Sequence, residues 1–167
     1  MKTADAIALA SAVVAALALG LTVWTARLTQ QHNRKSVRPL LRIDADTRDG
    51  HDVELRALNR GVGPARITCF AIGTEGRMYE MPTRKDLAQM LHGLGVDPNH
   101  YQFSAEIPTR DEVLSAGESF SILLFKASGG NKKLHDELVA ILPKIKTTIA
   151  YRDIYDQDFR LDHAANI

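Results

Sequence analysis

The sequence AIALASAVVAALALGLTVWTA, residues 6–26, determines how this chain is divided. It contains no charged side chain, and as an α-helix it would extend about 30 Å, close to the thickness of the hydrocarbon core of a bilayer. In lipid, a lone apolar segment must pair its backbone N–H and C=O groups within itself, so it must be helical. The sequence therefore predicts a transmembrane helix over residues 6–26, preceded by a short tail at residues 1–5.

Two other interpretations of this segment fit less well. A buried core helix is usually shorter and is interrupted more often by polar residues. A cleaved signal peptide would have a clear basic N-terminal region and small residues at its exit. Here Asp5 lies before the apolar run and Arg27 directly after it, so we expect a single span that is retained.

Positive charge is concentrated on the C-terminal side of the span. No acidic residue occurs there before Asp44, whereas only the α-amine and Lys2 are basic on the N-terminal side. Because basic flanks stay in the cytoplasm, we expect the N-terminus outside and the rest of the chain in the cytoplasm. The residues expected to fix this topology and contact the membrane surface, several within a basic linker over 27–39, are Trp24, Arg27, Arg34, Lys35, Arg38 and Arg42.

Small residues recur at every fourth position within the span. They are Ala8, Ala12, Ala16 and Gly20. Such a ridge lets a second helix approach closely, so it predicts a helix-packing face and a homo-oligomer or partner contact through the membrane.

Composition limits the remaining classes of function. With 25% charged and 45% apolar residues the chain is globular in composition, and its single cysteine, Cys69, excludes a disulfide-stapled scaffold. Residues 43–167 carry 15 Lys and Arg against 19 Asp and Glu, and they lack interleaved basic and aromatic residues. We therefore do not expect nucleic acid as a partner.

The body of the chain, residues 40–163, is dominated by strand patterns. Alternating or continuous apolar runs occur near 40–47, 51–59, 65–73 and 119–127, and Asp49-Gly50 is a strong hairpin signal between the first two. In the third run, Ile67 and Cys69 are expected on the face opposite Phe70. The end of the chain predicts a terminal hairpin, with Ile149 and Tyr151 on its first strand, Phe159 and Leu161 on its second, and a polar tip near Asp156-Gln157. Residues 164–167 form a tail.

Two amphipathic helices interrupt the strands. Thr83 and Asp86 form a capping-box pattern at the start of a helix near Thr83–Leu94. A second helix is expected near Lys132–Leu142, with Asn131 as its cap and Pro143 as its stop. Short strands with few crossovers favour a mainly β fold, an antiparallel immunoglobulin-like β-sandwich with two short helical insertions. The alternative is an α+β arrangement with the helices on one face of a single sheet.

The residues that usually carry chemistry are scattered or explained by turns. Asp44, Asp46 and Asp49 do not match the spacing of a calcium loop, and the later acidic cluster at residues 153–158 fits a turn. The six histidines show no metal-ligand spacing, and Cys69 lies in the middle of a strand, as a structural thiol does. We therefore expect no catalytic residue, no metal and no cofactor.

Three stretches carry a resemblance to a known group. They are the sequence from His32 to Leu40, the motif Asn59-x-Gly61-x-Gly63-Pro64-Ala65, and the tail from Ile149 to Phe159. Together with the N-terminal span, they resemble a loose group of small, uncharacterised bacterial membrane-anchored proteins. The resemblance implies single-pass topology and an immunoglobulin-like β-sandwich, and it implies no activity.

These observations favour a non-enzymatic protein of the bacterial inner membrane. Its cytoplasmic β-sandwich would bind a protein partner at the bilayer. Two other hypotheses stay open: an exported sensor or ligand-binding domain behind a signal sequence, and a membrane-active effector that associates through its transmembrane helix.

Overall fold

The computed structural model describes residues 3–49, 51–96, 102–126 and 132–164. The chain forms two compact units, Met1–Val37 and Arg38–Ile167. The first unit is a helix, and the second, called the domain below, contains the strands and the remaining helices.

Helix α1, Thr3–Ser36, makes up nearly all of the first unit. It contains the span expected over 6–26 but does not end there. Residues 27–36 include neither proline nor glycine, so nothing in this stretch interrupts the helix, and most of the basic stretch expected as a linker is helical. The helix ends at Ser36, and Pro39 prevents it from resuming at Arg38, because the ring of a proline disfavours helical backbone in the residue before it.

Nine strands form two antiparallel sheets in the described part of the domain. In chain order they are β1 (Leu41–Asp46), β2 (Val53–Asn59), β3 (Ala65–Thr74), β4 (Arg77–Glu80), β5 (Phe103–Ser104), β6 (Val113–Leu114), β7 (Ser119–Phe125), β8 (Lys146–Arg152) and β9 (Asp158–Ala164). One sheet has the order β1-β2-β7-β5, and the other has the order β4-β3-β8-β9 with β6 also paired to β3. The alternative of a single sheet is therefore wrong.

The inward faces of both sheets share one hydrophobic core. The rings of Phe70 on β3 and Phe120 on β7 meet edge to face across the sheets, with centroids 6.1 Å apart. In β3 the register to β8 shifts between Ile67 and Cys69, so the strand contains a bulge. The bulge places Ile67 and Phe70 together in the core and leaves Cys69 half-buried, which corrects the face expected from simple alternation.

Two short α-helices cover parts of this core. Helix α2, Arg84–Gly93, begins with the expected capping box, in which Thr83 and Asp86 bond reciprocally to each other's backbone N–H. Helix α3, Lys132–Ile141, leads into a 3₁₀ turn at Leu142–Lys144, while its expected cap, Asn131, lies outside the described residues. Helix and strand each make up 35% of the chain. The helical share is this large because α1 alone contributes 34 residues. The expectation of a mainly β fold therefore describes the domain and not the whole chain.

The terminal hairpin is confirmed. Ile149 pairs with Leu161 and Tyr151 with Phe159, and the last two rings stack with centroids 5.4 Å apart. At the tip, the buried carboxylate of Asp153 accepts hydrogen bonds from two backbone N–H groups of the turn. Strand β9 is an edge of its sheet, and its outward side chains alternate in charge: Asp158, Arg160 and Asp162.

The buried side chain of Asn59 ties together three segments at one end of the domain. Its carbonyl oxygen accepts from the backbone N–H groups of Leu40, at 3.2 Å, and Gly61, at 3.0 Å. Its amide donates to the backbone oxygens of Gly63 and Leu114, at 2.8 and 3.0 Å. These contacts give the Asn59-x-Gly61-x-Gly63 motif a structural explanation, since all four hydrogen-bonding positions of the amide are used.

Gly61 is required by close backbone packing. A Cβ atom at this position would lie 2.3 Å from the backbone nitrogen of Leu40 and 2.5 Å from the carbonyl oxygen of Arg38. We expect Gly61→Ala to lower the free energy of unfolding by about 1–3 kcal/mol, the usual cost of overpacking. The matched control is Gly76→Ala, where a Cβ meets nothing within 4 Å and the change should stay within about 0.5 kcal/mol. Equal effects of the two substitutions in denaturant unfolding would contradict this explanation.

Candidate functional site

Helix α1 exposes its apolar side chains over much of its described surface. Among those that are exposed are Ile7, Val13, Val14, Leu17, Leu19, Leu21, Val23, Trp24 and Leu28. Its most apolar stretch has a mean hydropathy of 1.6 and no buried residue. The helix is therefore long and apolar enough to cross a membrane, and its position near the N-terminus fits an anchor or a signal sequence equally well.

The polar side chains within the apolar stretch are bonded to the helix itself. The hydroxyl of Ser11 donates to the carbonyl oxygen of Ile7 at 3.0 Å, and that of Thr22 donates to Ala18 at 2.8 Å. Thr25 makes the same type of bond within its own turn. Because each hydroxyl is hydrogen-bonded within the helix, the free energy needed to transfer it into hydrocarbon is small.

The predicted helix-packing face lies along α1. Ala12, Ala16 and Gly20 are exposed, and the side chain of Ala8 lies outside the described part of the helix. Gly20 opens a shallow notch of about 280 Å³ that is also lined by Trp24 and Arg27. A notch beside a small residue is the shape that a crossing helix can fill.

The six residues expected at the membrane surface divide between the two units. Trp24, Arg27, Arg34 and Lys35 are exposed on α1, with Arg34 and Lys35 in its last turn, where positive charge complements the helix dipole. Arg38 and Arg42 belong to the domain. There the guanidinium of Arg38 lies 4.7 Å from the centre of the Phe159 ring, and that of Arg42 pairs with Asp44 at 2.6 Å.

One cleft in the domain, of about 280 Å³, combines charged and apolar walls. It is lined by Pro64, Arg66, Val113, Arg152, Asp153, Ile154 and Asp156. Arg66 and Arg152 lie directly opposite each other on β3 and β8, an arrangement that is unfavourable for two like charges. Each has an acidic partner: Arg66 is bonded to Asp156, and Arg152 pairs with Asp158 at 2.6 Å.

The acidic residues singled out in the sequence either accept hydrogen bonds from the backbone of turns or form ion pairs with arginines. Asp46 is bonded to Arg48, and this contact lowers the pKa of its carboxyl to about 2. In the tip of the terminal hairpin, each aspartate bonds either the backbone or an arginine. Among the described residues no group of His, Cys, Asp and Glu is arranged to hold a metal ion.

A polar pair between β8 and β9, buried Thr147 and half-buried His163, is not predicted from the sequence. Thr147 on β8 lies opposite His163 on β9, and neither the hydroxyl of Thr147 nor Nε2 of His163 has a hydrogen-bond partner among the described residues. Burial lowers the pKa of His163 below its usual value of 6.5, and the carboxylate of Asp44 opposes this shift. A sequence signal existed, because Phe159, Leu161 and His163 alternate on one face of the strand.

The lowered pKa of His163 makes the stability of the folded chain depend on pH. Because the folded chain resists protonation of His163, the unfolded chain binds the proton more readily below about pH 6.5, and stability is lost as pH falls. We expect His163→Phe to reduce the drop in melting temperature between about pH 7 and about pH 5, measured by calorimetry in detergent.

The matched control for this measurement is His92→Gln at an exposed position of α2. It should leave the pH dependence unchanged. An unaltered drop in His163→Phe, or an equal change in both variants, would contradict the role given to His163.

Comparison with known proteins places both units in one family. The model of the family described as "Domain of unknown function (DUF8453)" matches residues 6–165, which include the apolar helix and the domain. A search of curated proteins finds no significant match to the chain. Because the family match covers nearly the whole sequence, the chain belongs to the DUF8453 family.

Proposed function

We propose that this chain is a non-enzymatic, single-pass protein of a bacterial inner membrane that presents a partner-binding domain in the cytoplasm. The observation that carries the proposal is α1: a long, exposed apolar helix with basic residues concentrated on its C-terminal side. Water does not solvate such a surface well, and a bilayer does.

Retention of the helix is favoured over cleavage by two features. The helix continues without interruption from Thr3 to Ser36, so no extended segment for a signal peptidase follows the apolar run. The family match begins at residue 6, so the apolar helix is part of what members of the family share.

A cytoplasmic domain is favoured by the flanking charges. Arg27, Arg34 and Lys35 follow the apolar run on exposed positions of α1. Flanks rich in Lys and Arg are rarely translocated and stay on the cytoplasmic side of the membrane, so we expect the same of this one. A half-buried thiol at Cys69 is compatible with a reducing compartment.

The fold we propose for the domain is an immunoglobulin-like β-sandwich. Strands β1, β2, β7 and β5 correspond in order to A-B-E-D, and β4, β3, β8 and β9 correspond to C′-C-F-G. Helix α2 then lies between C′ and D, and α3 between E and F. In this fold the loops at the ends of the sheets commonly bind partners.

Binding is favoured over catalysis because the charged groups of the cleft are already engaged in ion pairs. In the cleft beside Arg66, the arginines and carboxylates neutralise one another and fix loops. A surface of paired charges with apolar neighbours suits the recognition of a protein. Proton transfer would instead require a side chain whose pKa lies near the working pH.

Reporter fusions test the topology. We expect green fluorescent protein at the C-terminus to fluoresce and alkaline phosphatase at the C-terminus to be inactive, because the former folds in the cytoplasm and the latter requires export.

The exported alternative predicts the opposite pattern at the C-terminus. Active alkaline phosphatase there, or a mature chain that begins after Ala26, would contradict the proposal. Removal of the protein from membranes by alkaline washing would contradict the anchor itself.

We further propose that α1 associates with a second α1 through the face of Ala8, Ala12, Ala16 and Gly20. The notch at Gly20 supports this, since it leaves room for a neighbouring helix beside Trp24. If the pairs perturb the bilayer, this contact would underlie the alternative role of a membrane-active effector.

Bulky substitutions test the association. We expect Gly20→Ile and Ala16→Ile to weaken association in vesicles about tenfold, or about 1.4 kcal/mol, measured by energy transfer between labelled chains. Ala18→Ile makes the same chemical change on another side of the helix and should have little effect. Equal losses at positions 16 and 18 would contradict a specific face.

A further inference from the structure

Exposed apolar side chains are concentrated at one end of the domain. In its described residues, the large hydrophobic side chains that are exposed are Leu40 (56%), Val62 (68%), Met78 (42%), Val113 (53%), Ile154 (55%) and Tyr155 (42%). All except Met78 lie around Asn59 or at the tip of the terminal hairpin. Leu40, Val62, Ile154 and Tyr155 are in connecting segments, and Val113 is on β6. We call this set, Leu40, Val62, Val113, Ile154 and Tyr155, the loop-end patch.

Contacts within the domain hold these loops side by side. The Asn59 side chain bonds the backbone of Leu40, which belongs to the patch, and of Gly63 and Leu114, which follow Val62 and Val113 in the chain. Val113 and Ile154 line the same cleft. The patch is therefore formed by four separate segments that meet at one end, and its residues are not scattered singly over the surface.

The chain also enters the domain at this end. Leu41, the first residue of β1, pairs with Asn59, the last residue of β2, and Gly61 packs against the backbone of Arg38 and Leu40. Only Val37 lies between this segment and the end of α1 at Ser36.

We propose that the loop-end patch rests on the surface of the bilayer, with its apolar side chains among the lipid headgroups. The inference rests on the proposed anchor, because the eleven residues 27–37 are the whole connection between the apolar run and this end of the domain. Three arginines beside the patch are paired with acids, and a fourth, Arg38, lies over the ring of Phe159. The pairs are Arg66 with Asp156, Arg152 with Asp158, and Arg60 with Asp44. The contact is therefore apolar in character and does not require anionic lipid.

Fluorescent labelling of the full chain in vesicles tests this contact. In a Cys69→Ser background, Ile154→Cys carries an environment-sensitive fluorophore, and the vesicles are phosphatidylcholine alone or mixed with phosphatidylglycerol. We expect blue-shifted emission, quenching by lipids spin-labelled near the headgroup, and loss of quenching by aqueous iodide in both types of vesicle. Val62→Cys, in a neighbouring loop, should behave in the same way.

The matched control is Gly76→Cys in the turn between β3 and β4. This turn lies at the other end of β3, about 30 Å away, and a side chain there meets nothing within 4 Å. The label at position 76 should stay open to iodide and insensitive to the spin-labelled lipids.

The outcomes separate this inference from the proposed function. Trp24 is the only tryptophan, so its quenching by spin-labelled lipids reports the anchor directly. If Trp24 is not quenched, the proposed anchor fails. If Trp24 is quenched while positions 154 and 76 behave alike, the surface contact is overturned. Protection of position 154 that rises with protein concentration in detergent would assign the patch to a second copy and would also overturn it.

Discussion

The buried amide of Asn59 is the interaction on which the arrangement of the domain depends. Its four hydrogen bonds join the segment before β1, the connection from β2 to β3, and the short strand β6. A buried amide that lacked even one of these partners would cost roughly 1–3 kcal/mol, so the loops are held in one arrangement. At the same point, Gly61 packs so closely against the backbone of Arg38 and Leu40 that a larger side chain would not fit. The point where the chain leaves the helical unit is thus among the most firmly specified parts of the domain.

Features fixed by local chemistry could be predicted from the sequence. The capping box of Thr83 and Asp86 identifies the start of α2 because both partners lie within one turn. The alternation of Ile149 and Tyr151 with Phe159 and Leu161 identifies the terminal hairpin because each pair faces the same core. The apolar run of α1 needs only hydropathy and length.

Features fixed by tertiary contacts could not be predicted in this way. Strands β5 and β6 have two residues each and exist only through pairing with β7 and β3. The bulge near Cys69 reverses the alternation of β3, and no residue in the sequence marks it. The loop-end patch combines side chains from residues 40 to 155, so its continuity follows from the fold and from no single stretch. The helix-packing face, by contrast, can be predicted from the spacing of small residues, whereas the notch beside Gly20 is formed by side chains such as Trp24 and Arg27.

The alternating charges on β9 bear on how such a chain behaves at high density. When molecules are crowded, encounters are frequent and an open strand edge can recruit another strand. On β9, Asp158 is held by Arg152, and Asp162 is held by Arg160 and Thr148. A second β9 laid antiparallel against this edge would have to desolvate these ion pairs and align acids with acids in part of its registers. The edge therefore disfavours pairing with a second copy, and with it fibrous aggregation, under crowded conditions.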